Sequence, residues 1–240
     1  MESGVDTGLI QELSATAQTV ILENSAAGLT RQAKVERMSS TEFIALLVLA
    51  TAMSFTPGPN TALSTAMAAN HGLRHAMPFV CAVPLGWGLL LTFSALGVGA
   101  LLVALPWLAW AVKLTGVAYL VGLARRLATT QELGQADAQR LQIGFWQGAA
   151  LQMVNIKAWM LALAIVSGWI AGYDNAGWRF AVVLPVMLFF AFGSNLAYAL
   201  VGSLLREWLA GPDGTRQRLR RFNRVMAAVL VLTAGWMLLR

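Results

Sequence analysis

Residues 43–73 read FIALLVLATAMSFTPGPNTALSTAMAANHGL and contain no Asp, Glu, Lys or Arg. A helix of about 20 apolar residues crosses the hydrocarbon core of a bilayer, so this stretch is long enough for one transmembrane span. Two more charge-free stretches, residues 75–112 and 180–205, are also long enough. Because a water-soluble fold does not easily bury three such stretches, the sequence predicts an all-α integral membrane protein.

The composition supports this fold class. Of the 240 residues, 58% are apolar and 12% are charged, whereas about 25% are charged in an ordinary soluble domain. The formal charge is +6, but most basic residues lie in two short loops, where membrane topology explains them better than nucleic-acid binding does. The single cysteine, Cys81, excludes an intrachain disulfide and a paired-cysteine metal or redox site.

The N-terminal 37 residues differ from the rest of the chain. They carry five acidic and three basic residues and no apolar run long enough to span a bilayer. They also lack the basic start and apolar centre of a secretory signal. We therefore expect residues 1–37 to be an extension, either loosely ordered or upstream of a true start at Met38, and residues 38–240 to form the membrane domain.

Turn signals divide the membrane domain into six spans. The stretch 75–112 would measure ~57 Å as one helix, which is too long for one crossing. Leu105-Pro106 is the natural corner, since a residue before proline avoids the helical region. The predicted spans are 42–69, 76–104, 107–127, 142–172, 178–205 and 222–239.

The basic residues predict the orientation of these spans. Loops after the odd-numbered spans carry ten Lys and Arg residues, against five on the opposite side. Loops rich in Lys and Arg face the cytoplasm. Both chain termini are therefore predicted to face outward.

The first and fourth spans are interrupted or polar near their middle. Pro57 and Pro59 flank Gly58, and proline breaks a helix because it lacks an N–H donor and clashes with the preceding turn. The fourth span carries Asn155 and Lys157 at a similar depth. A duplicated unit of three helices must insert upside down, so the spacing predicts two inverted three-helix repeats with the binding site where the two spans meet.

This placement yields six candidate substrate-binding residues: Pro57, Gly58, Pro59, Asn60, Asn155 and Lys157. Helix ends at a break offer N–H groups to an anion and C=O groups to a cation, and an amino acid has both charges. The alternatives are a purely structural kink at the prolines, a capping role for Asn60 and a Lys157 side chain that reaches the membrane surface.

Four further residues are candidates for a supporting role. Lys113 lies about a turn and a half inside the third span, where reaching the membrane surface explains it better than substrate binding. Tyr119, Gln147 and Asn195 are expected to form hydrogen bonds between helices.

Four motifs then occur in order along the chain. They are SFTPGPN (residues 54–60), KLTGVAYL (113–120), QG with NIKAW (147–148 and 155–159) and RFNR (221–224). Together they resemble the motifs of the LysE/RhtB-type amino-acid exporters, over about residues 38–239. Ile156 stands where that family has proline, so a kink in the fourth span stays open. The resemblance implies export of amino acids or similar metabolites from a bacterial cytoplasm across the inner membrane, driven by an ion gradient.

Other functions are weighed by the residues that they need. A cation exporter needs His, Cys or carboxylate ligands, and the spans offer only Cys81 and methionines, so this alternative is disfavoured but stays open. An intramembrane enzyme needs a nucleophile with a base, or a metal, and the spans show no such pair. Export of a non-amino-acid solute and a scaffold role without transport stay open. The sequence thus predicts no enzymatic activity, cofactor, metal site or nucleic-acid partner, but a small-molecule substrate and contact with the lipid bilayer. A homodimer is one open alternative for the oligomeric state.

Overall fold

The computed structural model describes residues 38–129, 143–211 and 217–239, and every regular element among them is a helix. We number the helices in chain order. They are α1 (Ser40–Phe55), α2 (Pro59–His71), α3 (Leu73–Ala95), α4 (Val98–Ala104), α5 (Pro106–Thr129), α6 (Phe145–Met153), α7 (Ile156–Ile165, continued by a π turn at Val166–Ile170), α8 (Ala176–Ala210) and α9 (Gln217–Leu239). The predicted extension at residues 1–37 lies outside the described residues.

Six membrane spans follow from these helices. Four of them, α3, α5, α8 and α9, are each long and apolar enough to cross a bilayer. The pair α1 and α2 passes the same test with a bend of 51°, and α6 with α7 and its π turn passes with a bend of 65°. When each bent pair counts as one span, the number is six, and the predicted all-α membrane class is confirmed.

Contacts between span ends show which ends lie together. Glu42, near the start of α1, forms an ion pair with Arg179, near the start of α8. Asn70, near the end of α2, exchanges hydrogen bonds of 2.8 and 3.0 Å with Asn223 of α9. We call these two sides the Glu42 face and the Asn70 face. The first and fifth spans begin at the Glu42 face, and the sixth begins at the opposite one, as successive crossings require.

Some span boundaries differ from the prediction. The second span does not continue to residue 104, because α3 ends at Ala95 and Gly97 takes a left-handed conformation (φ +92°) before the short helix α4. At the predicted corner, Leu105 lies outside the helical region (φ −117°, ψ 88°) and α5 begins at Pro106. The fifth span is longer than predicted, because α8 runs for 35 residues through Pro185.

The fourth span breaks without a proline. Asn155 is extended (φ −88°, ψ 95°) between α6 and α7. The Trp159 indole N–H donates to the Met153 carbonyl at 2.8 Å, which provides one end of α6 with a donor. The Val154 carbonyl packs directly against Gly116 of α5, where a Cβ would overlap it. The sequence left this kink open, and tertiary packing produces it.

The core of the fold is centred on α2. Eleven of its 13 residues are buried, and it packs against α8, α3 and α9. The approach of α2 to α8 is close because α8 has Gly202 opposite the Thr65 backbone. Small residues at such a crossing let two helix backbones come together, and this packing replaces the hydrophobic effect as the force between membrane helices.

We predict that Gly202→Ala destabilises the protein, whereas Gly193→Ala in the same helix does not. A Cβ at residue 202 would overlap the Thr65 carbonyl oxygen, so α2 and α8 must separate, at a cost of about 1–3 kcal/mol. A Cβ at residue 193 meets nothing within 4 Å, and alanine is the better helix former there. Thermal unfolding of both purified variants in detergent measures the difference. Equal melting temperatures would contradict the packing described for α2.

Candidate translocation site

A cavity of about 60 Å³ lies between the two broken spans and is closed by α3 and α8. This is room for roughly four to six water molecules. Its polar lining consists of Ser54, Thr56, Asn60, Thr61, Asn155, Lys157, Ser194 and Asn195, and its apolar lining includes Val83, Trp87, Leu161 and Met187. The two interrupted spans thus meet at one small, mixed-polarity site.

The structure brings most of the predicted site residues together. Gly58, Pro59, Asn60, Asn155 and Lys157 all line the cavity. Pro57 belongs to the same break, but it is exposed and does not line the cavity. That these residues bind a substrate stays a prediction, whereas their placement at one cavity is an observation.

The C-terminal end of α1 depends on donors from other spans. The last carbonyl groups of a helix have no partner within the helix. The Tyr198 hydroxyl of α8 donates to the Phe55 carbonyl at 2.8 Å. The Lys157 ammonium of α7 donates to the Thr56 carbonyl at 3.0 Å. The Lys157 charge therefore sits at the negative end of the α1 dipole, which favours a cation.

The N-terminal end of α2 is capped locally. Gly58 is extended and donates its N–H to the Thr61 hydroxyl at 2.9 Å, while the same hydroxyl donates to the Gly58 carbonyl at 3.1 Å. Pro59 is the first helical residue, where its missing N–H is not needed. Thr61 therefore performs the capping role that the sequence left open for Asn60.

Asn60 instead joins the two broken spans. Its amide nitrogen donates to Gln152 Oε1 at 2.8 Å, and the Gln152 amide nitrogen donates back to Asn60 Oδ1 at 3.1 Å. Gln152 is fully buried (0% exposed) and also donates to the Gly148 carbonyl within α6. Sequence reasoning missed Gln152, although an amide inside an apolar stretch, one turn before Asn155, was a usable signal.

Asn155 lines the cavity and carries an unsatisfied acceptor. The residue is 6% exposed, and its Oδ1 has no hydrogen-bond donor among the described residues. A buried acceptor without a donor costs about 1–3 kcal/mol. This position therefore suits a guest that brings an N–H or O–H group.

The cavity carries a net positive charge. Lys157 is the one charged side chain among the lining residues, and none of them is Asp or Glu. Asn155 and Lys157 stand two residues apart at the start of α7. Among the lining residues, these two close neighbours in sequence therefore provide an acceptor without a donor and a cation.

The residues predicted to have a supporting role lie at different distances from the cavity. Asn195 lines the cavity and accepts a hydrogen bond from Ser64 of α2 at 2.9 Å, as expected for a residue that joins helices. Lys113 lies outside the cavity, with its ammonium 4.7 Å from the centroid of the Trp110 ring. Tyr119 packs against the core, and its hydroxyl has no hydrogen bond within the described parts of the chain.

Gln147 has a local contact rather than the expected one. Its side chain accepts the Gly144 N–H at 3.1 Å, at the start of its own helix α6, and it has no hydrogen bond to a second helix among the described residues. Gln147 is the third residue of α6, and from this position a side chain reaches back to the residue that precedes the helix.

Comparison with known proteins identifies the family. Residues 51–240 match the family model described as LysE type translocator. The chain belongs to this family. It is similar to the cysteine/O-acetylserine efflux protein of Escherichia coli (strain K12), with 32% identity over 189 residues that cover 78% of this chain and 91% of the relative.

A second relative has the same description. The cysteine/O-acetylserine efflux protein of Salmonella typhimurium (strain LT2) is 29% identical over 182 residues, which cover 75% of this chain and 89% of that protein. No solved structure matches the chain. The protein is therefore a multi-pass membrane translocator and not an enzyme, as the sequence predicted.

We predict that Asn60 and Gln152 stabilise the translocator as a pair. Asn60→Ala and Gln152→Ala each remove one half of a reciprocal amide pair, so each should cost about 1–3 kcal/mol of unfolding free energy. The double variant should cost less than the sum of the single variants, with a coupling of about 0.5–3 kcal/mol. Denaturant unfolding in detergent measures all three, with Gln217→Ala as an exposed amide control. Additive costs would show that the two side chains act independently.

Proposed function

We propose that this translocator exports amino acids or closely related small metabolites across the bacterial inner membrane by alternating access through the cavity. The proposal extends the activity that the names of its relatives state, efflux of cysteine and O-acetylserine. It also assigns a chemical role to the residues that meet at the two broken spans.

The observation that most directly supports this proposal is that Lys157 and Asn155 both line the cavity. An α-amino acid has a carboxylate and an ammonium group on one carbon. Lys157 supplies the cation for the carboxylate, through a charge-assisted hydrogen bond. The unsatisfied Asn155 Oδ1 supplies the acceptor for the ammonium group. A substrate of this kind therefore meets both needs of the site at once.

Charge and size favour a small neutral amino acid. The cavity is about 60 Å³ and has no carboxylate in its lining. The extra cationic group of a basic amino acid would be buried there without a counter-charge, which is strongly unfavourable. Trp87, Leu161 and Met187 instead present an apolar wall to the substrate side chain. The substrates named for the relatives, cysteine and O-acetylserine, carry no additional charged group.

Alternating access suits two discontinuous spans that meet at a central site. The breaks lie in the first and fourth spans, three apart, and Lys157 of one break bonds to the Thr56 carbonyl of the other. We infer that the spans form two inverted three-helix repeats. We also infer that the Asn70 face, where Arg74 and Arg206 follow the ends of odd-numbered spans, is cytoplasmic, so both termini face outward.

The test is efflux from cells that are preloaded with a labelled mixture of amino acids. We expect the protein to speed the loss of small neutral amino acids, and Lys157→Ala to reduce that rate about tenfold or more, because a hydrogen bond to a charged group is lost. Lys113→Ala is the matched control, since Lys113 lies in a span but outside the cavity. Pro57→Ala tests the break itself and should also reduce efflux.

Two results would contradict the proposal. Normal efflux by Lys157→Ala, at equal protein level in the membrane, would remove Lys157 from the site. No effect of the protein on any amino acid would exclude amino-acid export and favour a different solute.

A further inference from the structure

The two halves of the first broken span are packed very differently. Only Leu46 and Ala50 are buried among the 16 residues of α1, whereas α2 is almost completely enclosed. Helix α1 packs mainly against α8. Its exposed side chains include Ile44 and Val48, which suit contact with lipid. Packing therefore holds α2 in place much more firmly than α1.

Polar contacts at its two ends hold α1 instead. At the break, Tyr198 and Lys157 donate to the Phe55 and Thr56 carbonyls. At the Glu42 face, the Glu42 carboxylate forms an ion pair with Arg179 of α8 at 3.1 Å. Few side chains therefore determine whether α1 stays against the rest of the bundle.

The Glu42 contacts join three segments at one face. The Tyr173 hydroxyl donates to Glu42 Oε1 at 3.3 Å, and the Trp169 indole N–H donates to the Glu42 backbone carbonyl at 2.9 Å. Arg179 also stacks 3.5 Å over the Tyr173 ring. We call Glu42, Trp169, Tyr173 and Arg179 the latch cluster. It connects α1, the π turn after α7 and the start of α8.

The latch cluster lies at the Glu42-face ends of two half-spans whose other ends lie at the cavity. Helix α1 runs from the Glu42 face to the first break, and its residues Met53 and Ser54 line the cavity. Helix α7 with its π turn runs from the second break back to the same face, at Trp169. The latch cluster connects the outer ends of these two half-spans.

We propose that α1 is the gate on the Glu42 face and that the Glu42–Arg179 ion pair is the latch that holds it closed. The proposal rests on the proposed function, since it takes the cavity as the place where the solute binds. When the latch breaks, α1 moves away from α8 and α7 while the buried helix α2 stays in place. The cavity then opens toward the Glu42 face.

The latch cluster can break without disturbing the core. Arg179 is 2% exposed, but its Nε has no acceptor among the described residues, and Glu42 is 31% exposed. A buried pair that is only partly satisfied gains little over its separated and solvated groups. It therefore suits a contact that forms and breaks in each cycle.

Lys157 couples this gate to the cavity. Its ammonium group donates to the Thr56 carbonyl at the end of α1. A solute carboxylate attracts this ammonium group more strongly than a neutral carbonyl does, and so draws it toward the solute. Binding thus weakens one of the contacts that hold α1, and leaves the Tyr198 bond and the latch to be broken.

Thiol labelling tests the gate without reference to any substrate. The chain has one cysteine, so Cys81→Ala gives a cysteine-free background. Ser54→Cys then places a thiol on the cavity-lining end of α1. We expect Glu42→Gln to speed its reaction with a membrane-impermeant methanethiosulfonate about tenfold, because one charge-assisted contact of the closed gate is lost. Glu207→Gln, an exposed carboxylate of α8, is the matched control.

The reagent must also reach Ser54→Cys from the side of the membrane on which the Glu42 face lies. Asp174→Cys, in the turn beside the latch cluster, reports which side of the membrane is the Glu42 face, and the faster labelling of Ser54→Cys must occur from that side. Unchanged labelling, or equal acceleration from both sides, would overturn the gate. Because this readout needs no transported compound, it separates failure of the gate from failure of amino-acid export.

A reversible cross-link provides the second test. Glu42→Cys with Arg179→Cys in the Cys81→Ala background allows a short bis-methanethiosulfonate reagent to join α1 to α8. We expect the cross-linked fraction to lose solute efflux and reduction to restore it. Efflux that continues in proportion to the total protein, rather than the uncross-linked protein, would show that α1 need not move.

Discussion

Unpaired backbone groups at membrane depth are the constraint on which this structure depends. A bilayer offers no water to a free N–H or carbonyl group, so a helix can break there only if other groups supply the missing partners. The chain breaks two of its six spans and supplies those partners from side chains. Tyr198 and Lys157, which are distant in sequence, donate to the end of α1, and the nearby Trp159 donates to the end of α6. The positions of these three residues follow from this requirement.

The same requirement explains why the cavity and the breaks coincide. Side chains that satisfy a broken backbone must lie beside it, and they bring polar atoms into an otherwise apolar bundle. Lys157 therefore serves two purposes, as a donor to α1 and as the one charge in the cavity lining. In the proposed function, a solute carboxylate attracts the same ammonium group that holds the Thr56 carbonyl, and this would link occupancy of the site to the hold on α1.

Sequence reasoning predicted those structural features whose cause lies in the local sequence. Pro57 and Pro59 lack N–H groups wherever the rest of the chain lies, and the charge-free stretches need a bilayer in any fold. The fourth break could not be predicted in this way. It depends on Gly116, which belongs to another span and admits the Val154 carbonyl. The Glu42–Arg179 pair joins residues 137 positions apart, so no local sequence pattern predicts it.

The two breaks therefore differ in how far they depend on neighbouring helices. Prolines prevent α1 and α2 from joining into one regular helix. The position of this hinge between the two helices therefore does not depend on how the neighbouring helices pack. Residues 154–156 all have N–H groups, and their break depends on the neighbours Gly116 and Trp159. A helix that is loosely packed beyond a permanent hinge can move as a unit while the hinge stays in place. That combination occurs at α1, which is why we assign the proposed gate to the first span, while the fourth span supplies the charged donor Lys157 that holds its end.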